Sequence, residues 1–437
     1  MTVKNHTRII GKDEPKRPMG GQPGHEGFTL EPVEHPDEIV DLSIHQCTHC
    51  NYHIDQRTLR IADVRQSFDL PEVKIHVIEY RGESLVCPHC HQSVKSIFPK
   101  GITPLTSYGP NLKAVGVYLQ NEQLIPAERC SEIIQDLFNI SVSHATIYNW
   151  RTEGYWQLQS WDKELRDYFK KGSKDIIAHA DETGFKIEKK NYWLHVLSTE
   201  LFTFYGVHKK RGSAALNHFG ILKGFTGKLV HDSYGSYFKC TACTHVLCNA
   251  HLIRELSFLS EELHEEWAGK MITLLSGLHD KVQEYKSKGK VGLSTWEKKQ
   301  VSNQYDQILK SGFKFHAAKA AENGDNGSLS GKRGRKKQPK GKNLLDRLRQ
   351  HKSAVLLFAF DFKIPFTNNL AERDLRMNKV KIKISGCFRS IHGAHEFALI
   401  RGFLSTARKH GKRIIVELRR LFESEGPMHL YPAPDTS

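Results

Sequence analysis

The chain has no run of about 18 consecutive apolar residues, which excludes a membrane-spanning helix. Residues 1–27 are polar and lack the apolar stretch of a secretory signal. Cysteine is too sparse for a disulfide scaffold. Nine thiols in 437 residues, several in Cys-x-x-Cys pairs, suit metal ligation in a reducing compartment. No internal repeat is visible. A soluble intracellular protein without a membrane partner is expected. Negative charge is also short: 48 Asp and Glu face 64 Lys and Arg, for a formal net charge of +16. That excess draws polyanions, although charge alone does not separate DNA from RNA or an anionic surface. The length suffices for about two to four domains.

Residues 1–30 hold Gly20-Gly-Gln-Pro-Gly-His-Glu-Gly27 beside Lys16 and Arg17 and read as a flexible basic arm. Residues 38–100 alternate short strand-like runs with cysteine pairs. Val73, Ile75 and Val77 recur with period two, as on a half-buried strand. Residues 107–170 look helical, with Pro110 suited to a first turn and Leu112, Val115 and Leu119 on one face. From residue 174 the pattern changes. Strands are expected at 176–181, 192–197 and 201–207, a helix at 213–225, a fourth strand at 228–232 and a candidate fifth at 245–248. Residues 252–320 read as amphipathic helix and residues 321–342 as a disordered Gly/Ser/Lys/Arg-rich loop. Two further helices are expected at 368–380 and 393–424.

Cys47-Thr-His-Cys50 and Cys87-Pro-His-Cys90 form two knuckles about 36 residues apart. Each offers two thiolates to one side of an ion, and four complete a tetrahedral zinc. A zinc ribbon with a long insertion is expected, structural because four ligands leave no open position. Two unrelated thiol pairs are the plainer reading, and His49, His89 or His91 could replace one thiolate. Cys240, Cys243, Cys248 and His251 have a second zinc-like spacing, for which packed residues near the active site are the favoured reading. Cys130 and Cys387 are expected to be core thiols.

Residues 126–138 form an amphipathic helix, 139–141 a short turn, and 143–151 the start of a second helix capped by Ser141 or Ser143. This suits a helix-turn-helix, with Ala145 permitting close packing and Ile147 facing the core. His144, Thr146, Asn149 and Arg151 would then reach a DNA groove. A plain packed hairpin is the competing reading. Ten basic residues and one acidic residue lie between Lys332 and Lys352. Lys332, Arg333, Arg335, Lys336 and Lys337 are candidate phosphate contacts, against a merely solvated loop.

Three carboxylates carry the chemistry. Ile177, His179 and Asp181 alternate on one strand face, placing Asp181 at the exposed end of a buried strand. Asp232 closes the next strand-like run in the same way, before Ser-Tyr-Gly. Glu372 follows Asn369 by three residues near a helix start. Singly these read as a turn Asp, a turn Asp and a capping-box Glu. Together, the order Asp, Asp, Glu with two on strands and one on a late helix is the layout of an RNase H-like nuclease core. Three carboxylates can hold two divalent cations, Mg²⁺ or Mn²⁺, for in-line attack on a phosphodiester. Arg373, Arg376, Lys379, Lys381 and Lys383 follow Glu372 and could line a DNA channel. Glu182 and Asp374 should point elsewhere.

On these residues the chain resembles the insertion-sequence family 66 transposases of bacterial mobile elements, from Gly20 to about Arg420. The longest strings are Pro365-Phe-Thr-Asn-Asn-Leu-Ala-Glu-Arg-Asp-Leu-Arg376, Lys383-Ile-Ser-Gly-Cys-Phe-Arg-Ser390 and Leu247-Cys-Asn-Ala-His-Leu-Ile-Arg-Glu255. Tyr108-Gly-Pro, Gln123-Leu-Ile-Pro126, Ala180-Asp-Glu-Thr, His231-Asp and Lys342-Asn-Leu-Leu-Asp-Arg347 add to them. The resemblance implies a DDE catalytic domain whose acids fall on Asp181, Asp232 and Glu372, with a Cys-x-x-His feature at Cys248 and His251. It further implies binding and cutting of element terminal repeats, joining to target DNA, self-association on DNA and small companion proteins. The setting would be the bacterial cytoplasm, on nucleoid DNA. Members usually carry a coiled coil before the Gly-Gly-Gln-Pro-Gly segment. Here about 19 residues precede it without heptads, which suits a truncated start or a decayed copy.

The fold expected is α/β and multidomain: arm (1–30), zinc-binding domain (38–100), helix-turn-helix domain (107–170), and an RNase H-like core in two parts (174–260 and 356–424) split by a helical insertion (261–355). The alternatives are an inactive zinc-dependent DNA-binding remnant, or a nuclease such as a junction resolvase that cuts without joining. A zinc hydrolase does not fit a closed cysteine site.

Overall fold

The computed structural model describes residues 30–55, 60–61, 63–71, 73–99, 102, 105–322, 338–423 and 428–431. The arm at 1–29 and the five basic residues from Lys332 to Lys337 lie outside the described residues. The chain divides into two compact units after residue 73.

In the first unit an isolated bridge, Gln46 to His53, closes the turn that holds Cys47 and Cys50. In the second, Ser84–Val86 (β1) and Ser93–Lys95 (β2) pair antiparallel and flank Cys87 and Cys90. The strand expected through Val73, Ile75 and Val77 does not form. All three are exposed, and alternation without a surface to pack against specifies nothing.

Four α-helices follow: Pro110–Val117 (α1), Ala127–Phe138 (α2), His144–Gln157 (α3) and Gln159–Lys171 (α4), with a π-helical turn, Tyr118–Glu122, after α1. Pro110 opens α1 as expected, since a first-turn residue needs no N–H. Asn139 ends α2 in the left-handed conformation, φ 50°. Ser143 caps α3 by accepting the Thr146 N–H at 3.1 Å.

The sheet begins with an antiparallel meander, Ile177–Ile187 (β3), Lys190–Ser198 (β4) and Thr203–His208 (β5). Helix Ser213–Phe219 (α5) leads to Lys228–His231 (β6) and Thr244–Leu247 (β7), which pair in parallel. The order is β5-β4-β3-β6-β7. A mixed sheet of this order with helices on its faces is consistent with an RNase H-like core.

β3 does not stop at Asp181. Thr183-Gly184, a dipeptide with turn chemistry, pairs with Leu194 and Trp193, and the reversal comes at Glu188 and Lys189, both with positive φ. The helix expected at 213–225 stops at Phe219 because Gly220 turns left-handed, φ 65°.

Helices Asn249–Glu261 (α6), Glu266–Ser287 (α7), Thr295–Glu322 (α8), Lys340–Gln350 (α9) and Lys352–Phe360 (α10) build one core from Leu256, Trp267, Leu275, Tyr305, Leu345 and Phe358. Val230 and Val246 of the sheet join it. Asn369–Ser385 (α11), Ile391–Lys409 (α12) and Ile414–Glu423 (α13) close the chain's fold. The single helix expected at 393–424 is broken by Gly411, φ 66°, a glycine past a helix end.

Helices α1–α4 are not a separate body. Val117, Ile147, Trp150 and Trp161 share one core with Ala178 and Ala180 of β3, Phe403 and Leu404 of α12 and Leu418 of α13. No helix among the described residues is long and apolar enough to cross a membrane.

Candidate active site

The parallel register of β3 and β6 sets the site. Ile177 pairs with Lys228 and His179 with Val230, so two residues further along both chains bring Asp181 level with Asp232. Neighbouring strands lie about 4.8 Å apart. Asp232, just past the end of β6, accepts the Tyr234 N–H on Oδ1 at 2.9 Å and makes a tight turn there. Asp181 sits within β3, opposite Val196, and not at a strand end. It is half-buried among acids. Burial pushes its carboxyl up to about 7, against the Glu182 N–H it accepts; the charges of Glu182, Asp232 and Glu372 push the same way.

Glu372 arrives from the first turn of α11. The capping-box reading fails, because no side chain caps this helix. Buried Asn368 reaches across to β3 instead. Its Nδ2 donates to the Ala180 carbonyl at 2.8 Å, its Oδ1 lies 3.0 Å from His179 Nδ1, and its backbone N–H meets Cys248 Sγ at 3.2 Å. One amide thus ties the start of α11 to the residue preceding Asp181. Glu372 Oε1 is buried without a hydrogen-bond partner.

Cys248 and His251 come to the same place: their donor atoms and a Glu372 oxygen all lie within 4.8 Å of one another, a group that could chelate a metal. His251 Nδ1 is 3.2 Å from Cys248 Sγ and 3.6 Å from Glu372 Oε1. Burial raises the Cys248 thiol and lowers the His251 imidazole, so both favour their neutral forms without an ion. Cys240 and Cys243 do not join this group. Cys243 Sγ lies instead 4.0 Å from His245 Nε2.

The two neighbouring acids point elsewhere, Glu182 by strand alternation and Asp374 because two residues along a helix turn it by about 200°. Glu182 accepts Arg211 Nε at 2.6 Å and the Tyr237 hydroxyl. Asp374 pairs with Lys409 at 3.0 Å and accepts from Ser198 and Thr203.

Residues 106–396 match the family model described as "Transposase IS66 family". The chain belongs to that family. It is therefore classed among the DDE transposases, which are polynucleotidyl transferases. No curated protein matches. Among solved structures, the cryo-EM structure of a simian T-cell lymphotropic virus intasome in complex with the PP2A regulatory subunit B56 gamma aligns at 15% identity, with a TM-score of 0.16. The alignment covers 43% of this chain and 66% of that one, just under two thirds of its length.

The other residues singled out in this transposase family member fall as follows. His144 and Asn149 are exposed on α3; Thr146 is half-buried with its hydroxyl 2.9 Å from Ser143 Oγ. Ala145, expected to pack, is exposed, whereas Ile147 is in the core. Arg151 does not reach outward towards a groove. It turns inward to Glu396, a carboxylate 1% exposed, at 2.5 Å, and a partner 245 residues away gives no local signal. Arg373, Arg376, Lys379 and Lys383 are exposed along α11. Lys381 is half-buried, its amine lowered by burial. Cys130 is a core thiol as expected, but Cys387 is exposed.

Each Cys-x-x-Cys is a local turn of one form. The Cys47 N–H bonds Tyr52 O and the Asn51 N–H bonds Cys47 O; the Cys87 N–H bonds Gln92 O and the His91 N–H bonds Cys87 O. Asn51 and His91 both take positive φ. Backbone N–H groups hold the Cys47 thiol (from His49, then Cys50) and the Cys87 thiol (from Cys90, then His89) below their ordinary values.

Asp181 makes a stability prediction. The folded chain keeps its proton up to about pH 7, an unfolded chain only to about pH 4. Its favourable contribution is full below about pH 4 and is lost as pH rises towards 7. Asp181→Asn, which cannot ionise, should therefore stabilise the protein without added Mg²⁺ or Mn²⁺ by about 1–3 kcal/mol at pH 8, with a smaller gain at pH 5. Thermal melts at the two pH values check this; equal shifts would remove the titration argument.

Proposed function

We propose that Asp181, Asp232 and Glu372 hold two Mg²⁺ or Mn²⁺ ions and that the chain cuts the ends of its mobile element and joins them to target DNA. The convergence of these acids on a mixed sheet, in a chain of this family, carries the reading. Hard oxygen donors suit such ions, and a cation would offset the mutual repulsion felt at Asp181 and give Glu372 Oε1, which accepts no hydrogen bond, a partner. Bound there, the ions would neutralise charge on attacking and leaving oxygens. Asp181 and Asp232 act from adjacent strands as a rigid pair. Glu372 completes the set, positioned through Asn368. The cut frees a 3′-hydroxyl, which attacks a second phosphodiester in line.

Asn368→Ala should lower nicking about 10- to 100-fold, as losses behind metal ligands do, with DNA affinity little changed. Equal losses of binding and nicking would make Asn368 a merely structural residue.

His144 and Asn149 suit groove contacts of a helix-turn-helix. Glu132 and Asp136 line the depression beside Ser143 and Thr146, which disfavours phosphate on that wall. Arg373, Arg376, Lys379 and Lys383 suit the backbone near the cut, with Lys332, Arg333, Arg335, Lys336 and Lys337 as further phosphate contacts. Cys47, Cys50, Cys87 and Cys90 suit one structural zinc, because the two turns are alike and both favour thiolate. In this scheme 38–100 is the zinc-binding part, 107–170 the DNA-reading part, and 174–260 with 356–424 the catalytic core around the 261–355 insertion. Self-association and companion proteins would assemble paired ends on nucleoid DNA in the cytoplasm.

The test is a labelled duplex carrying the element's end, incubated with the full chain and Mg²⁺ or Mn²⁺. Nicking at the end, followed by joining to a second duplex, supports the proposal. Nicking without joining would point to a nuclease. Binding without any cut would point to a DNA-binding remnant.

A further inference from the structure

On the β3 face opposite Asp181 sits a charged and aromatic assembly that the acidic triad does not use. Strand alternation sends Glu182 away from Asp181, and its side chain is 1% exposed. Arg211 comes to it from the loop between β5 and α5, with Nε 2.6 Å from Glu182 Oε1. The guanidinium carbon lies 4.2 Å from the Tyr234 ring centroid and 5.0 Å from that of Trp193. Trp193 lies across from its register partner Gly184, its ring 3.7 Å from where a Cβ would stand, an ordinary contact. Gly212, next to Arg211, packs closely: a Cβ there would come within 3.0 Å of the Tyr234 hydroxyl and Ser236 Oγ, so those side chains would have to shift.

The network reaches both aspartates. Tyr234 gives its N–H to Asp232 and its ring to Arg211. Glu182 follows Asp181 and gives it an N–H at 2.8 Å. Two rings and one carboxylate therefore fix the orientation of Arg211. Yet its side chain is 39% exposed. With Nε committed, the donors that remain are those on the two η nitrogens, the fork that matches a phosphate. Lys209 and Lys210, just before it, are exposed and add positive charge. Arg211 is close enough to the acidic site for the charge of Asp232 to act on it.

We propose that Arg211, oriented by Glu182, Trp193 and Tyr234, grips a DNA phosphate next to the one cut at Asp181 and Asp232. The proposal rests on the nuclease reading of that site. It makes Arg211 a substrate-binding residue that sets where the strand lies over the acids.

The experiment measures binding of the full chain to a duplex carrying the element's end, in Ca²⁺ so that no cutting intervenes. An uncharged methylphosphonate is walked along the terminal phosphates of the cut strand. At one position wild-type affinity should fall about tenfold. Arg211→Ala should lose about as much on natural DNA, lose nothing further at that position, and reduce the log–log salt slope by about 1. Arg211→Lys keeps the charge on Glu182 but loses the fork; it should show the same non-additivity, and serves if the Ala variant fails to fold. Multiplying losses at every position, or wild-type affinity in Arg211→Lys and Arg211→Ala alike, would overturn the contact. Nicking in Mg²⁺ is read separately. Coupling without nicking keeps Arg211 and sinks the triad; nicking without coupling does the reverse.

Discussion

Asp232→Asn should take end nicking below detection, a fall of about 10³-fold or more, while DNA binding in Ca²⁺ stays within about threefold of wild type. The size follows from the proposed role: removing one charged ligand of a cation pair would lose several kcal/mol of transition-state stabilisation. The substitution is clean because Asp232 has a structural duty that Asn can keep: Oδ1 accepts the Tyr234 N–H, and an amide oxygen accepts equally well. The turn that supports Tyr234 and Arg211 should survive. A lesser variant, Asp232→Ala, would remove that acceptor and confuse folding with chemistry. Nicking by Asp232→Asn at more than a tenth of the wild-type rate would end the assignment of Asp232, whatever the other two acids do.

Glu122→Ala should lower stability by about 3–5 kcal/mol, the cost of stranding a buried charge. Glu122 ends the π-helical turn and is buried against α12. Its Oε2 is 2.5 Å from Arg401 Nη1, and Arg408 reaches its other oxygen. The Arg401 side chain is 3% exposed. Without Glu122 its guanidinium keeps only the Asn121 carbonyl at 3.3 Å. The contact joins the helices before the sheet to the helix behind it, so the loss should appear in the main thermal transition. Adding Arg401→Met to Glu122→Leu should recover most of the loss, because two apolar groups leave no charge unpaired. A double variant as unstable as Glu122→Ala alone would show that shape, not charge, is what matters there.

Much of this was legible along the chain. Five strands and their order of appearance, the Pro110 and Ser143 helix starts, the two cysteine turns and the three acids all rest on local signals. Period, capping and short spacing act over a few residues, so sequence displays them directly. The misreadings share one cause. Thr183-Gly184 carries turn chemistry, but pairing of β3 with β4 holds it in a strand and Trp193 fills the space over the glycine. Val73, Ile75 and Val77 alternate like a strand, but among the described residues no partner strand meets them.

Arg151 has the position of a groove-reading residue until Glu396 claims it. Asn368 carries no local sign of its role until its amide is seen bonded to Ala180. Arg211 stands in an ordinary basic loop until Glu182, Trp193 and Tyr234 close around it. By itself, then, the sequence determined which side chains could do chemistry and which segments would carry them. The tertiary structure alone decided which charged groups face solvent and which are committed to each other. A buried charge or amide is costly unless its partner is buried with it, and partners 189 or 245 residues apart meet only once the sheet and its helices have packed.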